Sequence, residues 1–275
     1  MISLYLIILF IVLALWKKTR QFAISFLPWF IFGVVYDSMR FFPNYRVNTI
    51  DVQGLYEAEK SLFGILATTP EELKVIADHS SMMIPGEYFM AHHCSIADFF
   101  AGIFYLCWVP VPIAFALYLF LKKQQQWFLR FSWTFLIVNL IGFVGYYIYP
   151  AAPPWYAMNY GFDAVLNTPG NVAGLGRFDQ LVGLPIFHSI YGKNANVFAA
   201  VPSLHAAYML VTTVYAALSH KRWYTITLFA VICMGIWWTA VYSGHHYIID
   251  VSLGILTACI GMLLMEKIVF KKKGA

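Results

Sequence analysis

Seven runs of apolar residues divide this 275-residue chain, at 2–16, 22–42, 97–121, 128–149, 203–219, 223–243 and 246–269. A helix needs about 20 apolar residues to cross a bilayer, so the runs predict an all-α, polytopic membrane helix bundle. Composition agrees: 61% of residues are hydrophobic and 11% charged, against roughly 25% charged in soluble domains. Too little polar surface remains to clothe a water-soluble globule of this size. The first run is short, and its basic cluster, Lys17, Lys18 and Arg20, follows it. A cleavable signal peptide has the reverse order, which predicts an anchor with its N-terminus outside.

That orientation can be tested on the other charges. The inside pieces then carry Lys17, Lys18, Arg20, Lys122, Lys123, Arg130, Lys221, Arg222, Lys267, Lys271, Lys272 and Lys273, twelve of the 18 basic residues, with Glu266 the one acid among them. The positive-inside rule is met at every loop, and the net charge of +5 needs no nucleic-acid partner. Cys94, Cys107, Cys233 and Cys259 are scattered without metal-site spacing, so neither a disulfide nor a zinc framework is expected. No repeat, low-complexity tract or boundary interrupts what reads as a single membrane domain, 1–275.

Two long segments, 43–96 and 150–202, are predicted outside. In the first, VQGLYEAEKSLFGI (Val52 to Ile65) has apolar residues at helical spacing and suits a helix lying on the membrane surface. In TTPEELKV, Thr69 suits a cap, Pro70 a first helical turn, and Glu71 and Glu72 the positive helix end. The second segment, with YPAAPPWY and NTPGNVAGLGRFD, reads as ordered irregular backbone over the outer end of the bundle.

Ionisable groups within membrane spans are costly and mark function by default. VPSLHAAY and GHHYIID open the fifth and seventh spans on the same outer face as 150–202. Residues i and i+4 share a helix face, so Asp250 is expected beneath His246, accepting one ring N–H and leaving the other nitrogen's lone pair free. His205, one turn into a neighbouring helix, supplies a second imidazole for proton transfer. The same pair also reads as a satisfied polar contact in a bundle. Joint metal ligation by His205, His245 and His246 is disfavoured, since adjacent helical residues point about 100° apart. His92 and His93 read as structural, and Asp37 and Arg40 as an ion pair at a helix end or a substrate contact.

PSLH (Pro202 to His205) with HHYIID ending at Asp250 resembles two signatures of the type 2 phosphatidic-acid phosphatase superfamily. The resemblance implies a six-helix core with its site at the outer, non-cytoplasmic end (periplasmic or lumenal). It makes His246 the nucleophile, His205 the general acid and base, and Asp250 the group that orients His246. Run 2–16, with its basic loop to residue 21, is then an addition before a catalytic core at 22–275. PAAPPWY, PG…GRFD, AVPSLHAAY and WTAVYSGHHYIID together resemble the inositol phosphorylceramide synthases, which move phosphoinositol from phosphatidylinositol to ceramide. Inositol enters only through that resemblance.

The chain lacks the Lys-x6-Arg-Pro motif of many superfamily phosphatases and has Ala240 where they place an arginine before the nucleophile. A phosphodiester carries one charge where a monoester approaches two, so fewer cations are needed. Arg177 is the candidate for that charge, with Ser203 and backbone N–H groups at the helix start as further donors; a surface pair with Asp179 is its plain reading. His245, Trp155 and Tyr156 are candidate pocket residues. The expected activity is lipid phosphotransfer from phosphatidylinositol to a ceramide-type lipid, with no metal or cofactor. The alternatives are a lipid phosphatase or phosphodiesterase using water, with Arg40, Arg46 or Lys193 compensating, and a transporter or flippase with a His–Asp relay. Oligomeric state has no signature in the sequence.

Overall fold

The computed structural model describes residues 2–192 and 196–271; Lys193, Lys272 and Lys273 lie outside them. Proline placement and apolar length together explain where the helices start and stop. The first apolar run is α1 (Ile2–Leu15). The second divides at Phe26 into α2 (Arg20–Ser25) and α3 (Leu27–Ser38), with Pro28 in the first turn of α3. Proline interrupts a helix interior but suits a first turn. Segment 43–96 forms α4 (Gln53–Phe63), α5 (Pro70–Lys74) and α6 (Pro85–Ala91), with β1 (Ile65–Leu66) antiparallel to β2 (Met82–Met83).

The third run is also broken, into α7 (Ser95–Leu106) and α8 (Pro110–Leu121), which meet at 41° where Pro110 restarts the helix. Then follow α9 (Gln125–Ile148), the short loop helices α10 (Pro154–Tyr160), α11 (Gly176–Val182) and α12 (Ile186–Tyr191), and finally α13 (Leu204–Leu218), α14 (Trp223–Tyr242) and α15 (Ile248–Leu264). The all-α class is observed. Among the described residues, α9, α14 and Ile248–Val269 are long and apolar enough to cross a bilayer, and the bent α7–α8 pair makes a fourth crossing if counted as one span. Ser3–Leu15 and Leu204–Leu218 are apolar but shorter. All seven apolar runs are helical, yet length alone supports three or four full crossings, because breaks and late starts shorten the rest.

Helix α13 packs against α8, α9, α14 and α15. Ala206, Ala207, Ala216 and Ala258 are fully buried, as expected where helices associate by close backbone approach rather than by hydrophobic transfer. At the end of the bundle remote from the two histidine motifs, Arg130 pairs with Glu266, which also accepts from Tyr215 Oη at 2.6 Å. The Tyr215 hydroxyl in turn meets Thr134 Oγ1 at 2.6 Å. This network joins α9, α13 and the end of α15.

At the opposite end the two long segments interlock. Asp51 N donates to Pro150 O, Ala152 N to Asp51 O and Ala151 N to Phe198 O, while Asn44 Nδ2 reaches both Tyr146 O and Phe198 O at 2.8 Å. Helix α4 does not turn its inner face to the bilayer as expected: Leu55, Tyr56 and Glu59 are buried against the protein. Only its C-terminal end exposes apolar groups, at Leu62 and Phe63. A buried carboxylate needs donors, and three in this segment find them on backbone N–H groups. Glu59 accepts from Ile248 and Ile249, Glu72 from Thr68 and Thr69, and Glu87 from Ala77 and Ile84. Thr69 caps α5 as expected, and Glu72 returns a bond to the Thr69 N–H.

Candidate active site

The segment 150–202 and the start of α13 both meet the chain around the start of α15. Gly244, with φ of 71°, turns the chain after α14 in a conformation other residues rarely adopt. His245, His246 and Tyr247 follow before α15 begins at Ile248. His246 is therefore not in the helix, as its spacing to Asp250 suggests, but one residue before the N-cap. The pair meets all the same. Asp250 Oδ2 lies 3.3 Å from His246 Nδ1 and accepts from Tyr247 N at 3.0 Å. The carboxylate thus caps its own helix while holding the imidazole.

The other nitrogen, His246 Nε2, lies 3.0 Å from His205 Nδ1. If His246 Nδ1–H donates to Asp250, Nε2 carries the lone pair and His205 Nδ1–H is the donor between the rings. His205 is the second residue of α13, its ring stacked on Tyr105 at 5.1 Å and edge-on to Trp108 at 4.5 Å. The two helix starts are pinned by a backbone bond from Ser203 N to Asp250 O, 3.0 Å. A Cβ on Gly254 would overlap the Ser203 carbonyl oxygen, so this close approach requires glycine. Asp250 is fully buried, and it serves both helices, by its side chain and by its carbonyl.

Arg177 is not paired with Asp179. Its Nε donates to Asp98 Oδ1 at 2.6 Å, while Asp179 accepts from Phe187 N, His188 N and the His188 ring. Asp98, near the start of α7, also receives Tyr242 Oη at 2.8 Å and lies 3.4 Å from His93 Nδ1. Arg177 lies over the Tyr242 ring and beside Gly174, whose N–H donates to Ser243 O. Its buried Nη2 has no partner among the described residues, nor has Ser203 Oγ, which sits at the N-cap of α13 without capping it. Buried polar groups are normally satisfied. Unpaired buried donors of this kind are what an anionic ligand would complete.

The remaining candidates are distributed as follows. The His245 ring lies between Tyr105 and Tyr191, with Nδ1 3.2 Å from Ser243 Oγ and Nε2 unpartnered among the described residues. Burial, together with the neighbouring imidazoles, pushes His245 well below the ordinary histidine range. Trp155 and Tyr156 are buried in the loop core; Trp155 N donates to Gly244 O, and the Tyr156 hydroxyl bonds Asp163 O and Val165 N. That hydroxyl is committed to holding the loop. Arg40 pairs with Asp37, which also accepts from Ser3 N and so ties α3 to α1. His92 pairs with Glu72 at 2.7 Å, and Arg46 is exposed. Asp98 and Glu59 are not among the candidates that the sequence motifs mark. The signal for Asp98 was present, an acid inside the apolar stretch SIADFF, while Glu59 stands where the α4 face calls for an apolar residue.

A family model described as the PAP2 superfamily matches residues 79–264. The chain is 59% identical over 274 residues to the phosphoinositol dihydroceramide synthase of Bacteroides thetaiotaomicron, covering 100% of this chain and 85% of that protein. It is 27% identical over 243 residues to the inositol phosphorylceramide synthase catalytic subunit of Saccharomyces cerevisiae, covering 86% of this chain and 54% of that protein. Against the inositol phosphorylceramide synthase of Candida albicans, identity is 28% over 159 residues, with 55% and 33% covered. The chain thus spans about half the length of the first of these fungal relatives and a third of the second. No solved structure matches it. The family match contains both histidine-bearing helix starts and the similarity runs the length of the chain: this protein belongs to the PAP2 superfamily, in the inositol phosphorylceramide synthase family.

Proposed function

We propose that this enzyme transfers a phosphoinositol group from phosphatidylinositol to the primary hydroxyl of a ceramide-type lipid, through a phosphohistidine intermediate. The observation that carries the reading is the continuous contact from Asp250 through His246 to His205. An oriented imidazole with its lone pair on Nε2 is a nucleophile, and a second imidazole within hydrogen-bond reach is its proton partner. The names of the relatives supply the head group and the acceptor class.

In the first step the lone pair of His246 Nε2 forms a bond to phosphorus, and the bond from phosphorus to the glycerol oxygen breaks. The protonated His205 gives its proton to that oxygen, and diacylglycerol leaves. Asp250 stabilises the positive charge that develops on His246. In the second step His205 takes the proton of the acceptor hydroxyl, whose oxygen attacks phosphorus and displaces His246. Both histidines return to their starting states. Arg177 Nη2, held by Asp98 through Nε, and Ser203 Oγ stabilise the non-bridging oxygens. No step calls on a metal, so chelation is expected to leave the rate unchanged. The site faces the non-cytoplasmic side, a reading supported by the basic residues concentrated at the other end of the bundle.

The test is incubation of the purified protein in detergent and EDTA with phosphatidylinositol, with and without ceramide, beside a His246→Ala control. Ceramide-dependent formation of a phosphoinositol lipid, lost in the control, is the expected result. Head group released to water whether or not ceramide is present would make the enzyme a phosphodiesterase. A protein that moves lipid across vesicle bilayers without cleaving it would be a flippase.

A further inference from the structure

We propose that Glu59 is a positioning residue for the transfer centre: from α4 it grips the first turn of α15, and so sets how Asp250 meets His246. The inference rests on the His246–Asp250 pair acting as proposed above. Both Glu59 oxygens are engaged, Oε1 by Ile248 N at 2.8 Å and Oε2 by Ile249 N at 3.1 Å. Together with Asp250, which takes Tyr247 N, they satisfy three successive N–H groups at the start of α15. A helix start leaves such donors without intrahelical partners, and here carboxylates fill them, one of which lies 189 residues away in sequence.

Burying a carboxylate without a cationic partner is costly. Glu59 is 1% exposed, and the adjacent Lys60 is turned to Asp78. An apolar residue would fill the same face of α4 at lower cost, so the carboxylate is retained for what its two bonds do. Burial, with a smaller contribution from the charge of Asp250, raises Glu59 to about 7 against the lowering effect of the two N–H bonds. The His246–Asp250 contact of 3.3 Å is at the long end for a hydrogen bond. Its length therefore depends on where the first turn of α15 sits, and Glu59 is the clamp on that turn from outside the helix. The same two bonds close this helix start to phosphate. The anionic ligand is left to the start of α13, Ser203 and Arg177.

The experiment compares wild type, Glu59→Gln, Glu59→Ala and Glu57→Gln, an exposed neighbour on α4, in detergent with phosphatidylinositol and ceramide. Folded fraction and thermal midpoint are measured on each sample. We expect kcat to fall between about tenfold and about a hundredfold in the Glu59 variants, more for Ala than for Gln, which keeps one acceptor. KM for both lipids should stay within about twofold, and Glu57→Gln should match wild type. If wild type transfers and the folded Glu59 variants match it in kcat, or if their loss only tracks the unfolded fraction, this inference is overturned alone. If wild type itself makes no phosphoinositol lipid, the transferase reading fails and takes this inference with it.

Discussion

The two ends of the bundle treat polar groups in opposite ways. At the basic end, Arg130, Glu266, Tyr215 and Thr134 satisfy one another across three helices. At the histidine end, Arg177 Nη2, Ser203 Oγ, His245 Nε2 and Asp250 Oδ1 are buried without a partner among the described residues. A closed network stabilises and specifies packing, whereas open valences cost stability and are retained where a ligand completes them. The contrast separates scaffold from site without reference to motifs, and it can be broken by mutation at either end.

The largest effect is expected at the open end. His246→Ala and His205→Ala should each reduce transfer by about 10³-fold or more with folding intact, as loss of a nucleophile or its proton partner does elsewhere. Retained activity in His246→Ala, measured as labelled phosphoinositol lipid, would end the nucleophile assignment. Next is Arg177→Lys, expected to cost about 10²-fold in kcat/KM, since an ammonium cannot hold Asp98 and a phosphate oxygen through a planar fork. Asp98→Asn should produce a smaller loss in the same parameter.

At the closed end the effects should fall on stability instead. Tyr215→Phe is expected to lower stability by about 1 kcal/mol by removing the hydroxyl between Thr134 and Glu266. Its kcat should be unchanged. A kcat loss there, with folding intact, would erase the distinction between the two ends. Gly254→Ala tests the junction: overpacking against Ser203 should cost about 1–3 kcal/mol and also depress kcat, by moving His205 from His246. Loss of stability without loss of kcat would show that the spacing of the helix starts is not rate-determining.

The smallest effect is a pH dependence. The Glu59 pKa is raised from 4.5 to about 7, chiefly by burial. A raised folded-state pKa contributes stability that is fully present below about 4.5 and lost as pH rises through about 7. The thermal midpoint of wild type should therefore fall between pH 5 and 8 relative to Glu59→Gln. Parallel curves for the two proteins would remove Glu59 as the source.

Much of this was legible in the residues themselves. Helicity of the apolar runs follows from length and composition, and the Thr69 cap from its place before Pro70 and two glutamates. Bringing His246 to Asp250 needed only four residues of chain, although the geometry is a helix-capping turn and not the i, i+4 helix face. Other features were hidden because their partners are remote. Arg177 looked closest to Asp179, two residues away, yet it pairs with Asp98, 79 residues earlier. Tyr156 stood in a motif that suggested a pocket, and its hydroxyl holds the loop at Asp163 and Val165.

By itself, then, the sequence determined what local chemistry decides: apolar lengths that must be helical in a bilayer, prolines that restart helices, and which side chains carry reactive groups. Only the tertiary structure decided how those groups are spent. Glu59 grips a helix start 189 residues away, and His205 reaches His246 only because Gly254 lets two helix starts touch. The physical reason is that periodicity and capping act over a turn or two of chain, whereas a buried charge takes whichever donors the packed fold brings to it.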